Sequence, residues 1–362
     1  MANSNLRIFF RVDGGRSMGM GHVVRCLWLA HALRENSGHA VTFFMAQDDI
    51  GISAVQRRGW PVVRVAAEEL VGNEGDDEGD ASVVIIIIII DLPEGVSADA
   101  VRSIRQRNPR SLIVLMHGTC TGRIEADVVV SPIERLPDPS SWQGFRGQRY
   151  EGPEYAILDP AFARVPRRSS GEVREPRILV TMGGSDPCGL TLQALRALDN
   201  MRESFRVTVA IGPAFLHEAE LQTFLANARR RYECRREDSL LDLMVNSDIA
   251  LVSFGTTVYE LAAAGLPAIA LSISEDHAQA AEVFARFGSL MHLGLFSSVS
   301  AAQIQSAVRK LLNDPRLRIE LGQRGQSQVD GNGAARVAKL LLARVHEHGE
   351  IHSRTNFRAG GG

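Results

Sequence analysis

Eight consecutive β-branched residues, Val83 to Ile90, constrain this chain more than any other feature. A strand formed from that run has no polar side to offer water, so it must be covered on both faces. The run is also far short of the roughly 20 apolar residues a membrane helix needs, so no stable membrane insertion is expected. A strand of a parallel sheet covered by helices on both sides meets both conditions. Apolar strand candidates at Ile8 to Phe10, Ala40 to Met45, Pro61 to Val65, Leu112 to Met116 and Asp127 to Val130 surround it. Helical patterns alternate with them, notably Val23 to Arg34 and Ala98 to Arg107. The predicted class is α/β, with a doubly wound, Rossmann-like domain over residues 1–161.

The same theme then restarts. Residues Phe162 to Pro176, FARVPRRSSGEVREP, carry arginine, serine and proline with little apolar periodicity, as a linker over 162–176 would. From Arg177 the chain returns to an apolar strand, a glycine turn and a helix, followed by strand candidates at Val207 to Ile211, Ile249 to Val252 and Ala268 to Ser272. A length of 362 residues suits two domains, which places a second Rossmann-like domain over 177–348. Its last helical pattern is Ala334 to Val345, and the glycine-terminated stretch 349–362 reads as a disordered tail. Two such domains are expected to face a central cleft, with ligands at the carboxyl ends of the strands.

Composition removes several function classes. A net charge of −2 gives no electrostatic case for nucleic acid. Cys26, Cys120, Cys188 and Cys234 lie far apart with no C-x-x-C pair, so neither zinc nor a disulfide framework is indicated. A reducing cytoplasm is the expected location, and the polar start MANSNLR leaves no room for a signal peptide. The acidic segment Asn73 to Asp80 lacks a D-x-D motif and reads as a solvated loop rather than a metal site.

Chemistry concentrates in glycine turns. Between the first strand and the first helix stand Gly14, Gly15, Gly19 and Gly21, followed at once by His22. Glycines allow close backbone approach, and free N–H groups at a helix start favour an anionic or polar ligand. The spacing is not the dinucleotide fingerprint G-x-G-x-x-G, and a lone histidine at a helix start is often only a hydrogen-bonding residue. In the second half, Gly255, Thr256 and Thr257 follow a strand and open a helix, with Glu260 three residues on. That arrangement suits a diphosphate and a ribose, and equally suits an N-cap with an acidic first turn. The turn Gly183, Gly184, Ser185, Asp186, Pro187 resembles the same device, with a cap at Ser185 or Asp186 as its plainer reading.

Taken in order, these motifs resemble one family, the UDP-sugar hydrolase of pseudaminic acid biosynthesis, which has the two-domain GT-B fold. The resemblance spans roughly Arg7 to Lys339 and rests on R-x-D at Arg11 to Asp13, G-x-G-H-x-x-R-C at Gly19 to Cys26, and YEGPEYAIL at Tyr150 to Leu158. It continues through GGSDP at Gly183, SFGTTVYEL at Ser253, GLPAIAL at Gly265 and DGNGAARVA at Asp330. The resemblance implies release of UDP from UDP-2,4-diacetamido-2,4,6-trideoxy-β-L-altrose by cleavage of the anomeric C–O bond with inversion. His22 would be the general base acting on water. Arg11, Asp13, Gly19, Gly21, Arg25, Asp276 and His277 would bind the sugar side, while Gly183, Gly184, Ser185, Gly255, Thr256, Thr257 and Glu260 would hold the nucleotide. Neither a metal nor another cofactor is implied. The chain departs from the family pattern at Asp276 and His277, which replace Asn and Gln, and at Asp159, where a basic residue is usual. Asparagine both donates and accepts hydrogen bonds, whereas aspartate only accepts.

Two alternatives share this site. An inverting glycosyltransferase, like the peptidoglycan GlcNAc transferase, would use His22 on an acceptor hydroxyl. A nucleotide-sugar binding protein without catalysis would keep only the grip.

Overall fold

The computed structural model describes residues 6–15, 18–37, 39–46, 49–70, 85–133, 138–169, 174–212, 214–237 and 239–345. The acidic segment and the tail over 349–362 lie outside them. The chain divides into two compact units, residues 1–157 with 333–362, and residues 158–332.

The first unit is built on seven parallel strands: β1 (Leu6–Val12), β2 (Ala40–Met45), β3 (Val62–Arg64), β4 (Ile85–Asp91), β5 (Leu112–Leu115), β6 (Val128–Ser131) and β7 (Gln148–Glu151). Their order is β3-β2-β1-β4-β5-β6-β7. The isoleucine run forms β4, at the middle of this sheet, and its side chains alternate between two cores. Ile87 and Ile89 join Ile8 and Phe10 beneath α1 (Gly21–Ser37) and α2 (Asp49–Arg57). Ile88 and Ile90 join Phe9 and Phe44 beneath α3 (Ala98–Arg107) and Trp142.

The second unit holds six parallel strands: β8 (Arg177–Thr181), β9 (Arg206–Ala210), β10 (Tyr232–Arg235), β11 (Ile249–Ser253), β12 (Ala268–Ser272) and β13 (Leu290–Leu295). Their order is β10-β9-β8-β11-β12-β13. Helices α4 (Leu190–Asp199), α5 (Glu218–Asn227), α6 (Leu241–Val245), α7 (Thr257–Ala263), α8 (Glu275–Ala285), α9 (Ala301–Asn313) and α10 (Pro315–Gln328) complete it. The doubly wound, two-domain α/β class is as expected. Among the described residues no helix is long and apolar enough to cross a membrane.

Two boundaries differ from those expected. The final helix, residues 333–345 (α11), packs on the first unit and not on the second, because Ala334, Val337, Ala338, Leu341 and Val345 complete the core shared by β1 and α1. Its start is locked there by the Arg336 guanidinium, which donates to the carbonyl of Glu154. The expected linker is likewise no free tether. Pro160–Arg164 forms a short 3-10 turn, and Arg168 donates to the carbonyls of Gly265, at 3.3 Å, and Ser247, which straps this segment to the second unit.

Candidate active site

In the first unit the chain runs outward from β1 through β2 and β3, then returns to place β4 on the other side of β1. In such sheets the carboxyl ends of the strands flanking that reversal, here β1 and β4, are the usual ligand position. Asp91 ends β4, paired in register with Val12. Helix α1 presents His22, Arg25 and Cys26, at i, i+3 and i+4, to that one carboxylate.

The Asp91 carboxylate is fully buried. Its Oδ1 lies 2.8 Å from His22 Nδ1, and the Arg25 guanidinium forks onto both oxygens, with Nε 2.5 Å from Oδ2. Burial alone would raise the pKa of Asp91, but the charge of Arg25, with hydrogen bonds from Arg25 and His22 adding to it, outweighs burial and holds the carboxyl well below the usual range. An ionised carboxylate only accepts, so Asp91 draws the His22 proton to Nδ1 in competition with the Arg25 Nη donor, 3.0 Å from the same nitrogen, and the neutral ring in that tautomer leaves a lone pair on Nε2. The His22 side chain keeps 24% of its surface exposed, and no hydrogen bond to Nε2 is made among the described residues. A ring oriented in this way can take a proton from a bound hydroxyl or water. Cys26 is no rival nucleophile: its buried thiol, with Sγ 3.4 Å from Asp91 Oδ2, is pushed well above its usual pKa by burial and by that carboxylate.

The glycines ahead of α1 serve this geometry. Gly15 and Gly19 exchange backbone hydrogen bonds of 3.0 and 2.9 Å, and Gly19 adopts φ +75° to close the loop. A side chain at Gly14 would come within 2.6 Å of Val23 in α1. Gly21 is the first residue of α1, directly before His22.

Arg11 and Asp13 behave differently from the substrate-binding role expected of them. Arg11 is completely buried, pairs with Asp13 at 2.6 Å, and donates to the carbonyls of Glu69 at 2.8 Å and Ala67 at 3.1 Å. Asp13 accepts the backbone N–H of Ala46 at 2.7 Å. The pair clamps the loop beyond β3 and the end of β2 to β1, and Arg11 has no surface left with which to meet a ligand.

The second unit reverses between β8 and β11, where the other predicted turns gather. Gly183, with φ +82°, sits so that an added Cβ would meet only Ser253 Oγ, at 3.8 Å; at Gly184 and Gly255 nothing lies within 4 Å. The Thr256 side chain makes no capping bond, and Thr257 is the first residue of α7. The start of the helix beyond the Gly183 turn is capped from within the chain. Asp186 accepts the N–H groups of Leu190 and Thr191, both at 2.8 Å, so a carboxylate already occupies the start of α4, and Ser185 is buried beside it. Glu260 is half-buried, and burial, with the nearby Asp159 carboxylate adding to it, pushes its pKa up to about 7. Asp276 is exposed in the first turn of α8, where an acid stabilises any helix. His277 stands edge-on to Phe254, 6.4 Å between ring centres, which brings α8 next to the Gly255 turn.

Two residues at these strand ends escaped sequence reasoning. Asp91 was signalled only as the single carboxylate closing an unbroken isoleucine run, and His117 only as the polar residue following β5. A Ser272, His292, Glu282 chain, with both hydrogen bonds at 2.9 Å, resembles a hydrolytic triad. Ser272 is completely buried, so it ties β12 to β13 and α8 and offers no nucleophile. Among the described residues, no group of three or more His, Cys, Asp or Glu is arranged to hold a metal ion.

No family model matches the chain. It is similar to the spore coat polysaccharide biosynthesis protein SpsG of Bacillus subtilis, 27% identical over 333 residues that cover 91% of this chain and 96% of the relative. Among solved structures it is similar to MurG of Acinetobacter baumannii, with a TM-score of 0.65 at 15% identity, covering 93% of this chain and 99% of that one. It is also similar to CalG4, the calicheamicin glycosyltransferase, with a TM-score of 0.61 at 17% identity, covering 94% and 98%. These likenesses establish the fold as GT-B, two parallel-sheet α/β units of Rossmann type.

Proposed function

We propose that this chain is a nucleotide-sugar-using enzyme of sugar or polysaccharide biosynthesis, and that it hydrolyses a UDP-sugar to UDP and a free acetamido-deoxy sugar. The observation that carries this reading is the His22 ring held at Nδ1 by buried Asp91, with Nε2 left as the base. In the reaction, water gives a proton to Nε2 as its oxygen bonds to the anomeric carbon. The bond from that carbon to the phosphate oxygen breaks, its electron pair leaves with UDP, and the anomeric configuration inverts. Asp91 steadies the imidazolium that forms and stays ionised itself. The open turns at Gly183, Gly184 and Gly255, with the hydroxyls of Thr256 and Thr257, suit the nucleotide, and Glu260 suits a ribose diol. The similarity to a polysaccharide biosynthesis protein fits use of an activated sugar.

Transfer to an alcohol is the second reading, favoured by the likeness to CalG4, although a shared fold does not fix the reaction. Incubation with a panel of UDP-sugars in ¹⁸O-labelled water separates the two. Hydrolysis places the label in the free sugar and none in UDP. If UDP forms only after an alcohol acceptor is added, the hydrolytic reading is wrong. UDP binding without any turnover would leave a binding protein.

A further inference from the structure

The turn after β5 holds a hydrogen-bond relay that the proposed proton transfer leaves unused. His117 Nε2 lies 2.8 Å from the carbonyl oxygen of Leu92, and His117 Nδ1 lies 3.3 Å from Thr119 Oγ. A carbonyl only accepts, so Nε2 bears the proton and Nδ1 keeps its lone pair. The Thr119 hydroxyl must then donate to Nδ1. Its own oxygen is left with lone pairs alone, so the outer end of the relay is an acceptor of fixed direction. Half-buried His117 stays neutral because burial lowers its pKa, more than Asp91 and the Leu92 carbonyl raise it.

The surroundings hold this relay in place. Gly95, at φ +75°, lies so close to the turn that an added Cβ would sit 2.4 Å from Cys120 Cβ and 3.4 Å from His117 Cε1. A Cβ at Gly118 would sit 2.6 Å from the Trp142 ring. Two turns are thus pressed together with no room for a side chain between them. The relay also stands beside the candidate base. β5 is the direct neighbour of β4, Ile90 pairing with Leu115, and His117 bonds the carbonyl of Leu92, the residue directly after Asp91, which holds His22. Thr119 itself is exposed.

We propose that Thr119, oriented by His117, is a sugar subsite for a hydrogen-bond-donating substituent, a hydroxyl or an acetamido N–H, next to His22. This rests on the nucleotide-sugar reading of the site. A carbonyl or ether oxygen placed there would face lone pairs and be rejected, so the pair acts in specificity, with Thr119 touching substrate and His117 positioning it.

The test measures kcat and KM for UDP release from UDP-N-acetylglucosamine and from a UDP-2,4-diacetamido sugar, with wild type, Thr119→Val, Thr119→Ser, His117→Phe and His22→Phe. Thr119→Val is close in shape but removes the acceptor. It is expected to raise KM about tenfold or more with kcat within about twofold. Thr119→Ser should restore KM, and His117→Phe, which frees the hydroxyl to rotate but keeps its oxygen, should raise KM less than Thr119→Val does. If Thr119→Val keeps the wild-type KM while His22→Phe abolishes turnover, the subsite is wrong and the reading of the active site stands. If the wild type turns over neither sugar, that reading fails and the subsite falls with it.

Discussion

Asp91 carries two loads, one chemical and one structural, and a single substitution addresses both. Asp91→Asn keeps the shape but can present an amide N–H to His22 Nδ1, which removes the preference for the useful tautomer. Turnover should fall by about 10² to 10⁴, a loss read as kcat for UDP release. The Arg25 guanidinium also loses the carboxylate charge it forks onto, at a cost on the order of 3 kcal/mol, which thermal or denaturant unfolding will register. Glu260 gives a prediction of opposite character. Its folded pKa of about 7 lies above the ordinary carboxyl value of 4.5, so the fold prefers the neutral acid. That contribution is fully present below pH 4.5 and is lost as pH rises through 7, a difference on the order of 3 kcal/mol. Wild type should therefore lose more Tm between pH 5 and pH 8 than Glu260→Gln; equal losses would contradict the assignment. His22 was legible because a glycine turn opening into a helix marks the end of a first strand. Arg11 was misread because a sequence shows charge but not enclosure: a residue type that would grip a sugar also forms a buried clamp.

Elements were legible where both faces are buried and obscure where one is not. The isoleucine run marked β4, because uninterrupted β-branched residues have few other uses. By contrast β7 and β10, at the sheet edges, read QRYE and YECR, with charges exposed along them, and neither was recognised as a strand. Charged edges of this kind protect a sheet from pairing with other chains, which is also what hides them from pattern reading. β13 was missed because its register slips against β12 near Gly294, breaking any simple alternation. The pattern of α11 was plain, but its destination was not, since periodicity says that a helix has an apolar face and not which core receives it. Leu341→Ala is expected to cost about 2–5 kcal/mol. Hydrogen exchange should show the loss of protection in β1, β2 and α1 of the first unit, with β8 and β9 unchanged. Loss confined to the second unit would contradict the assignment of this helix.

At the scale of the molecule, one chain repeats one plan. Each unit reverses direction beside its first strand, and each gathers its polar residues at the carboxyl ends flanking that reversal. What the two units place there differs. The first offers an oriented imidazole and a relay ending in an acceptor; the second offers open glycine turns, threonine hydroxyls and a desolvated carboxyl. If the first unit supplies the base and the second the nucleotide grip, as proposed, His22→Phe compared with wild type for kcat of UDP release and Kd for UDP separates the two roles. In His22→Phe, kcat should fall by about 10² to 10⁴ while the Kd for UDP is unchanged. An unchanged kcat, or a loss of UDP affinity that matches the loss of rate, would contradict it.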